Sequence, residues 1–393
     1  MDRYLIIHYS EIGLKGGNKK FFVEALNKHV SRVLSELGLK GRPKYVLNRL
    51  MVKLPDDVVE DDLVVAMRRV PGIRNFGIYY KSSSDLEKLG RDMVKKIPFE
   101  RISGEGLQTF CVRVKKSEGK FDFTSVEAER ELGAVLLRGD IGLKVKMKGS
   151  DLEVFVELIQ DKAYFCLGKW DGISGLPVGT GGKVLSLISS GFDSPVASFM
   201  MMRRGAKVSF VHFSGQPYSG KDELEHVKEI VEILSGYQGE AKLIIIPFGE
   251  IQKKISMNTK VLAKLRVVLY RRLMFKIAEK VASRERARAL VTGESFGQVA
   301  SQTLVNMNVI DRAVDLPVFR PLIGLNKEEI IDMSREIGTH DISKEPCSDT
   351  CGLFMPKSPE LAAKMREVLE CEESIGFDEL VKEVLVKREV FKV

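Results

Sequence analysis

The chain predicts a multidomain protein of mixed class, an α+β first half followed by a doubly wound parallel α/β second half. Three observations carry this. At ~150 residues per domain, 393 residues make two or three domains. Before residue 171, short strand-like and helix-like patterns mix without a regular rhythm. After residue 183, short continuous apolar runs alternate with helical patterns, as strands buried on both faces of a parallel sheet do. The two regimes meet in DGISGLPVGTGGK, residues 171–183, where five glycines and one proline mark the boundary.

In the first half, residues 4–9 (YLIIHY) are a β-rich apolar run and read as a strand. Helical spacing follows over 18–37, then a strand over 48–54. The next unit reads as helix 58–69, strand 73–81, helix 85–96, strand 109–115, helix 126–137 and strands 143–148 and 152–158. Past the boundary, 184–189 is a short buried strand, followed by a turn and a helix over 195–204. Strand 206–213, helix 223–235, strand 243–247, long helical patterning over 261–284 and strand 289–292 complete the series. Ligands on such sheets bind at the carboxyl ends of strands, near the point where strand order reverses.

Composition narrows the class. Hydrophobic residues at 44%, charged residues at 30% and only 13 prolines exclude a disordered chain. No apolar run approaches the ~20 residues of a membrane span, and MDRYLIIHYSE reaches charge too soon for a signal peptide. Five cysteines at wide spacings make no disulfide framework, which predicts a reducing, cytoplasmic location. The net charge of +8 is uneven: residues 1–50 carry 10 basic and 4 acidic side chains, 251–300 carry 12 and 3, and 301–393 carry 12 and 18. Segregated positive charge suits a polyanionic partner, although a solubilising surface would have the same composition.

The string KVLSLISSGFDSPVASFMMMRRG, residues 183–205, is where chemistry concentrates. A buried strand ends in Ser189-Ser190-Gly191-Phe192-Asp193-Ser194, and Pro195 stands where the first turn of a helix accepts it. Small hydroxyl residues and glycine let backbone N–H groups and a helix N-terminus face an anion. Locally, an ordinary βα loop whose Ser and Asp cap the helix fits as well. Neither G-x-x-x-x-G-K-[ST] nor G-x-G-x-x-G occurs, so a P-loop NTPase and a dinucleotide dehydrogenase are poorly supported. Asp193 inside an anion loop makes sense if Mg²⁺ bridges it to phosphates. No zinc-ligand spacing occurs, and His8 and His29 read as structural or surface residues.

SSGFDS resembles the SGGxDS pyrophosphate loop of the PP-loop ATP pyrophosphatases, with Ser190 in place of a glycine. Three further strings narrow the resemblance to the tRNA 4-thiouridine synthetase family (ThiI): HYSEIGLKGGNKKFF at 8–22, TGESFGQVASQT at 292–303 and CGLFMPKSP at 351–359. The resemblance spans nearly the whole chain. It implies a ferredoxin-like domain at 1–60, a THUMP RNA-binding domain at 61–167 and a PP-loop catalytic domain at 176–393. It also implies ATP contacts at Leu187, Ile188, Ser189, Ser190, Gly191, Asp193, Ser194, His212, Phe213, Arg271, Gly293 and Gln302. Taken alone, His212 reads equally as a satisfied histidine at a strand end.

The implied reaction is formation of 4-thiouridine at position 8 of tRNA, with ATP and Mg²⁺. Uridine O4 is adenylated, and a sulfur nucleophile then displaces AMP from C4. The resemblance implies that Cys351 carries this sulfur as a persulfide, which requires an accessible thiolate. Cys347 would resolve it by forming a disulfide, while spacing alone equally allows two ordinary thiols. Cys111, Cys166 and Cys371 lie on apolar patterns and are expected in the core. Many bacterial members continue into a rhodanese domain, which this chain is expected to lack. Three sulfur sources therefore stay open: sulfide, a separate persulfide-carrying sulfurtransferase, or an iron–sulfur cluster held partly by Cys347 and Cys351.

Residues 143–148 alternate, with Lys144, Lys146 and Lys148 expected in a line on one face of a strand, and Arg113 and Lys115 repeat the pattern. A solvated sheet face would read the same, but the THUMP resemblance favours contacts to the tRNA backbone, with Lys15 and Asn18 of the N-terminal signature added. Homodimerisation is a family expectation. Two other functions compete: another PP-loop ligase or thiolase, and a non-catalytic RNA-binding protein on a relic nucleotide fold.

Overall fold

The computed structural model describes residues 1–97, 106–139, 141–220, 222–346 and 354–393. The chain divides into two compact units, Met1–Pro177 and Val178–Val393. No described helix is long and apolar enough to cross a membrane.

The first unit runs β1 (Arg3–Tyr9), α1 (Lys19–Glu36), β2 (Lys44–Val46), β3 (Arg49–Leu54), α2 (Glu60–Arg68), β4 (Ile73–Ser83) and α3 (Leu86–Lys96). It continues with β5 (Thr109–Lys116), α4 (Ser125–Arg138), β6 (Lys144–Val145), β7 (Leu152–Ile159), β8 (Lys162–Leu167) and β9 (Trp170–Asp171). Its described strands join in one sheet, ordered β2-β3-β1-β4-β8-β7-β5-β6, with β9 against β4. The long strand β4 is the joint: residues 73–80 pair with β1, and 80–83 pair with β8.

Strand parity places the helices. Helices α1 and α2 pack over Leu5, Ile7, Leu50, Val52 and Ile78. Helices α3 and α4 pack over Phe110, Val112, Val154, Phe165 and Tyr80. Ile78 and Tyr80 are two apart on β4 and share a face, so these helices all lie on one side of the sheet. The other side holds a smaller cluster of strand and hairpin residues, Ile6, Met51, Tyr79, Tyr164 and Cys166 among them.

A buried carboxylate knots this second face together. Glu157 of β7 is fully buried and meets His8 Nε2 at 2.7 Å, Arg49 Nη1 at 2.7 Å, Tyr79 Oη at 3.0 Å and Lys169 Nζ at 3.3 Å. Burial alone would raise its pKa, but His8, Arg49 and Lys169 outweigh burial and hold it well below the ordinary carboxylate range. His8 is thus structural, as the sequence suggests.

The expected strand over 143–148 is corrected. Only Lys144 and Val145 pair, with Thr109 and Phe110 of β5. Val145 and Met147, expected to face the core, are 44% and 52% exposed. The segment is the sheet edge, so one neighbour holds it, and the chain turns away at Gly149, whose φ is +61°. Lys144 N and Lys146 N bond to the Gln108 and Phe110 carbonyls, so the extended stretch reaches Lys146 and stops short of Lys148. Strand β8 was not expected because its hairpin turns through Gln160 at φ +56°, a turn without the usual glycine signal.

The second unit runs β10 (Lys183–Leu187), α5 (Asp193–Arg203), β11 (Lys207–Ser214), α6 (Asp222–Gln238), β12 (Lys242–Pro247), α7 (Gly249–Met257), α8 (Arg266–Glu285) and β13 (Leu290–Val291). Then follow α9 (Leu304–Asp311), β14 (Val318–Phe319), α10 (Lys327–Ile337), α11 (His340–Lys344), α12 (Met365–Ile375), α13 (Phe377–Val386) and β15 (Glu389–Lys392). The sheet order is β14-β13-β10-β11-β12-β15, parallel except for the antiparallel edge strand β15. Leu185 and Leu187 of β10 face a core shared with α7, α8, α12 and α13. Ser186 points the other way and its Oγ meets Ser198 Oγ of α5 at 2.8 Å. Helices therefore cover both faces, and the doubly wound class expected from the sequence is what forms.

Candidate active site

Strand order reverses at β10, which has β11 on one side and β13 on the other. Loops leaving β10 and β13 diverge there and open a crevice at the carboxyl ends of the strands. A cavity of about 440 Å³ fills it. Leu187, Ile188 and Ser189 line it from the end of β10, Asp193 and Ser194 from the first turn of α5, and His212 and Phe213 from β11. Arg271 enters from α8, and Gly293 and Gln302 from the loop after β13. Of the residues expected at ATP, Ser190 and Gly191 do not line this cavity: Ser190 is buried beside it and Gly191 is exposed.

The loop is latched by its own hydroxyls. Ser189 N donates to Ser194 Oγ at 2.8 Å, and the two Oγ atoms are 3.1 Å apart. Helix α5 begins at Asp193, two residues earlier than expected, so Pro195 sits inside the first turn, where its missing N–H costs nothing. Phe192, at the cap, makes no side-chain capping bond. The first N–H groups of α5 are left to an anion.

Gly293 lies hard against this turn. A Cβ built on it would stand 2.6 Å from Ser194 N and 2.7 Å from the Asp193 carbonyl carbon. Only glycine lets β13's loop approach α5 this closely.

Asp193 is held by two residues the sequence reading missed. Lys327 Nζ reaches its Oδ1 at 2.5 Å, and Gln298 Nε2 donates to Oδ2 at 3.2 Å. Lys327 opens α10 inside the capping box of Asn326 and Glu329; this helix is absent from the series expected from the sequence, and so is its reach to Asp193.

Below the cavity, Glu294 fixes the cation. It is buried and accepts from Arg271 Nη2 at 2.7 Å, Arg320 Nε at 2.7 Å and Thr292 Oγ1 at 2.9 Å. Burial would raise its carboxyl, yet Arg271 and Arg320 hold it below its ordinary value. Arg320 also grips Asp311, with Nη1 at 3.0 Å from Oδ2. Val267, Tyr270, Arg271 and Met274 all line the cavity, at the i, i+3, i+4, i+7 spacing of one helical face, a periodicity that could have found the missed three. Burial pushes the Tyr270 hydroxyl up to about 12. His212 Nδ1 lies 3.1 Å from the Ile188 carbonyl; a carbonyl only accepts, so Nδ1 carries the proton.

Cys347 and Cys351 lie outside the described residues. Met355, four residues after Cys351 in the chain, lines the cavity, and Phe354 packs edge-on against Tyr218 at 5.4 Å. Cys111, Cys166 and Cys371 are buried, as expected, and burial pushes the Cys166 thiol up to about 12. Among the described residues, no group of three or more His, Cys, Asp or Glu side chains could hold a metal ion.

The residues expected at RNA all belong to the first unit but sit on separate elements. Lys15 lies 5.1 Å from the Phe22 ring, and Asn18 precedes α1. Arg113 is committed to Glu153 at 3.2 Å and to the Met147 carbonyl at 2.6 Å, so it braces the 144–148 segment. Lys115, Lys144, Lys146 and Lys148 are exposed.

Family models match in three places: the ThiI ferredoxin-like domain over 4–77, the THUMP domain over 83–167, and the thiamine biosynthesis protein (ThiI) model over 179–377. A probable tRNA sulfurtransferase of Moorella thermoacetica is 39% identical, covering 99% of this chain and 97% of its own. One from Alkaliphilus oremlandii is 37% identical over 100% of this chain and 99% of its own. A crystal structure of a 4-thiouridine synthetase–RNA complex with bound ATP superposes with a TM-score of 0.90 at 33% identity, covering 100% of both chains.

Proposed function

The chain belongs to the ThiI family of tRNA sulfurtransferases, and on that premise we propose how its own residues carry the reaction. It is an ATP-dependent tRNA sulfurtransferase that forms 4-thiouridine. The observation that supports the residue roles is the convergence of Ser189, Asp193, Ser194, Arg271 and Gly293 on one crevice that also receives Met355 of the cysteine segment.

ATP lies with its adenosine against Leu187, Ile188 and Phe213 and its phosphates toward the 189–194 turn. O4 of uridine 8 attacks the α-phosphorus and pyrophosphate leaves. The N–H groups at the start of α5 take up the charge that develops on the leaving pyrophosphate, with Arg271, held in place by Glu294, as the nearby cation. Asp193 is the loop's carboxylate, and with phosphate oxygens it makes the small, oxygen-only set that Mg²⁺ accepts. Bound there, Mg²⁺ would neutralise phosphate charge. Lys327, whose Nζ stands 2.5 Å from Asp193 Oδ1, adds a second cation beside the phosphate turn.

In the second step a persulfide sulfur on Cys351 attacks C4, and the C4–O bond breaks to release AMP. The intermediate is joined as C4–S–S–Cys351. Cys347 attacks Sγ of Cys351, that S–S bond breaks, the transferred sulfur leaves on C4 as 4-thiouridine, and reductant reopens the Cys347–Cys351 disulfide. A persulfide is favoured over an iron–sulfur cluster because such clusters need three or four thiolates. Cys371 is buried in the core under α12, and Cys111 and Cys166 are buried in the first unit. A separate persulfide-carrying sulfurtransferase supplies the outer sulfur of Cys351 by transpersulfidation, while sulfide, if it is the donor, attacks the adenylated C4 directly and bypasses Cys351. The chain works in the cytoplasm, and it acts as a homodimer. Incubation with ATP, Mg²⁺, a persulfide donor and unmodified tRNA, followed by nucleoside chromatography, tests the reading. Absence of 4-thiouridine, with ATP and tRNA both bound, would overturn it.

A further inference from the structure

The helix-free side of the first unit's sheet carries a basin of about 460 Å³ that the reaction described above does not use. Lys40, Arg42, Lys44, Lys53 and Lys162 line it, together with Tyr4 and Tyr164, and no acidic side chain does. Lys40, Arg42 and Lys44 are exposed, and among the described residues no ion pair holds them. Lys53 and Lys162 are the two that touch acids, Asp2 at 2.9 Å and Asp161 at 3.9 Å, and they remain 61% and 46% exposed.

The arrangement follows from the chain. Lys40, Arg42 and Lys44 alternate with Gly41 and Pro43 on the segment leading into β2, and Pro43 is buried while the three cations face the basin. A Cβ on Gly41 would stand 2.6 Å from Val52 Cγ1, so the segment presses onto β3 and presents every second residue outward. Lys40, Arg42 and Lys44 thus stand in succession along the rim of the basin, an arrangement suited to consecutive phosphates. The alternation of cations noted at 144–148 recurs here at 40–44. The ring of Tyr4 meets Tyr164 edge-on at 5.4 Å, giving the basin an aromatic floor.

We infer that this basin is an RNA-contact site holding successive phosphates of the tRNA backbone, an inference that rests on the tRNA reading above. Lys40, Arg42 and Lys44, with Lys162 and the Asp2-paired Lys53 beside them, leave a positive field that a phosphodiester strand neutralises with release of counterions. The side chains offer point charges and no bidentate fork to base edges beyond Arg42, so the site positions RNA and does not read sequence.

The test uses the full chain and an unmodified tRNA transcript. Binding is measured across salt for wild type and for Lys40→Ala/Arg42→Ala/Lys44→Ala. The log–log slope should fall by about 2–3, at roughly 0.7–0.9 per lost phosphate contact, while ATP affinity and the melting temperature stay as in wild type. Lysine acetylation of the wild-type protein gives an independent readout: tRNA should shield Lys40 and Lys44, and ATP or inorganic phosphate should not. An unchanged slope with unshielded lysines overturns the site. Shielding by inorganic phosphate alone, with the tRNA slope unchanged, also overturns it and leaves a small-anion site. Normal thiolation with an unchanged slope sinks the basin and spares the reaction; a basin-dependent slope without 4-thiouridine does the reverse.

Discussion

Gly293→Ala tests the closest backbone contact on the pyrophosphate turn. The added methyl would stand 2.6 Å from Ser194 N, 2.7 Å from Asp193 C and 2.9 Å from Ser194 Cα. All three are backbone atoms, so no side chain can swing aside. Ordinary contact begins near 3.4 Å, and 3.4 less 2.6 leaves 0.8 Å by which the turn or β13's loop must move. Overpacking of this kind costs about 1–3 kcal/mol, or a fall of roughly 2–12 °C in the melting temperature of a unit this size. The catalytic consequence is larger than the stability one. The displaced atoms are the start of α5 and the backbone of Asp193, and misplacing reacting groups by about 1 Å can cost on the order of 100-fold. Pyrophosphate release in the presence of tRNA should therefore drop by about that factor, while filter binding of tRNA stays unchanged. A variant that folds, binds tRNA and releases pyrophosphate at the wild-type rate would refute the argument that this glycine sets the turn.

Four further outcomes follow from the same geometry. Asp193→Ala should abolish thiolation and leave tRNA affinity nearly unaltered in a filter assay; thiolation at the wild-type rate would remove the carboxylate from the mechanism. Cys351→Ser should still bind ATP and tRNA but fail to transfer sulfur from a persulfide donor, whereas Cys347→Ser should complete one turnover and recover cycling with added reductant. Glu157→Gln leaves Arg49 and Lys169 facing a neutral amide in a buried site, a loss of about 3–5 kcal/mol that thermal melts should show. The pH dependence has a definite sign: a carboxylate depressed in the fold stabilises fully above its ordinary value of 4.5, and that contribution drains away as pH falls below it. Acid unfolding of the wild type should thus be steeper between about pH 5 and 3 than that of Glu157→Gln, and equal acid limbs would count against the knot.

Legibility of the fold tracks how local its causes are. Runs such as Val184-Leu185-Ser186-Leu187 and Leu243-Ile244-Ile245-Ile246 declare parallel strands because both faces are buried, and each forms. Lys144–Lys148 misled for the complementary reason. Period two needs a pleat, and a pleat needs a partner; one partner at an edge, with Gly149 turning the chain away, holds the segment only as far as Lys146. At 40–44 the same period has Gly41 against Val52 to pin it, a contact between residues eleven apart that spacing cannot reveal.

The candidate site divides along the same line. Ser189, Asp193 and Ser194 were legible because one strand–turn–helix carries them and its glycine, hydroxyls and proline are adjacent in sequence. Glu294 lay inside a quoted string, yet its role as the anchor of Arg271 needed Arg320 and Asp311, which come from other elements. Lys327 is the clearest case: 134 residues separate it from Asp193, and no local pattern marks a lysine at the start of α10 as different from any other. What decides its reach is the fold, since α10 packs beside α5 and sets its first turn against the loop. A sequence read alone therefore finds the residues that make the anion turn, and misses those, such as Lys327 and Gln298, that reach its carboxylate from distant elements.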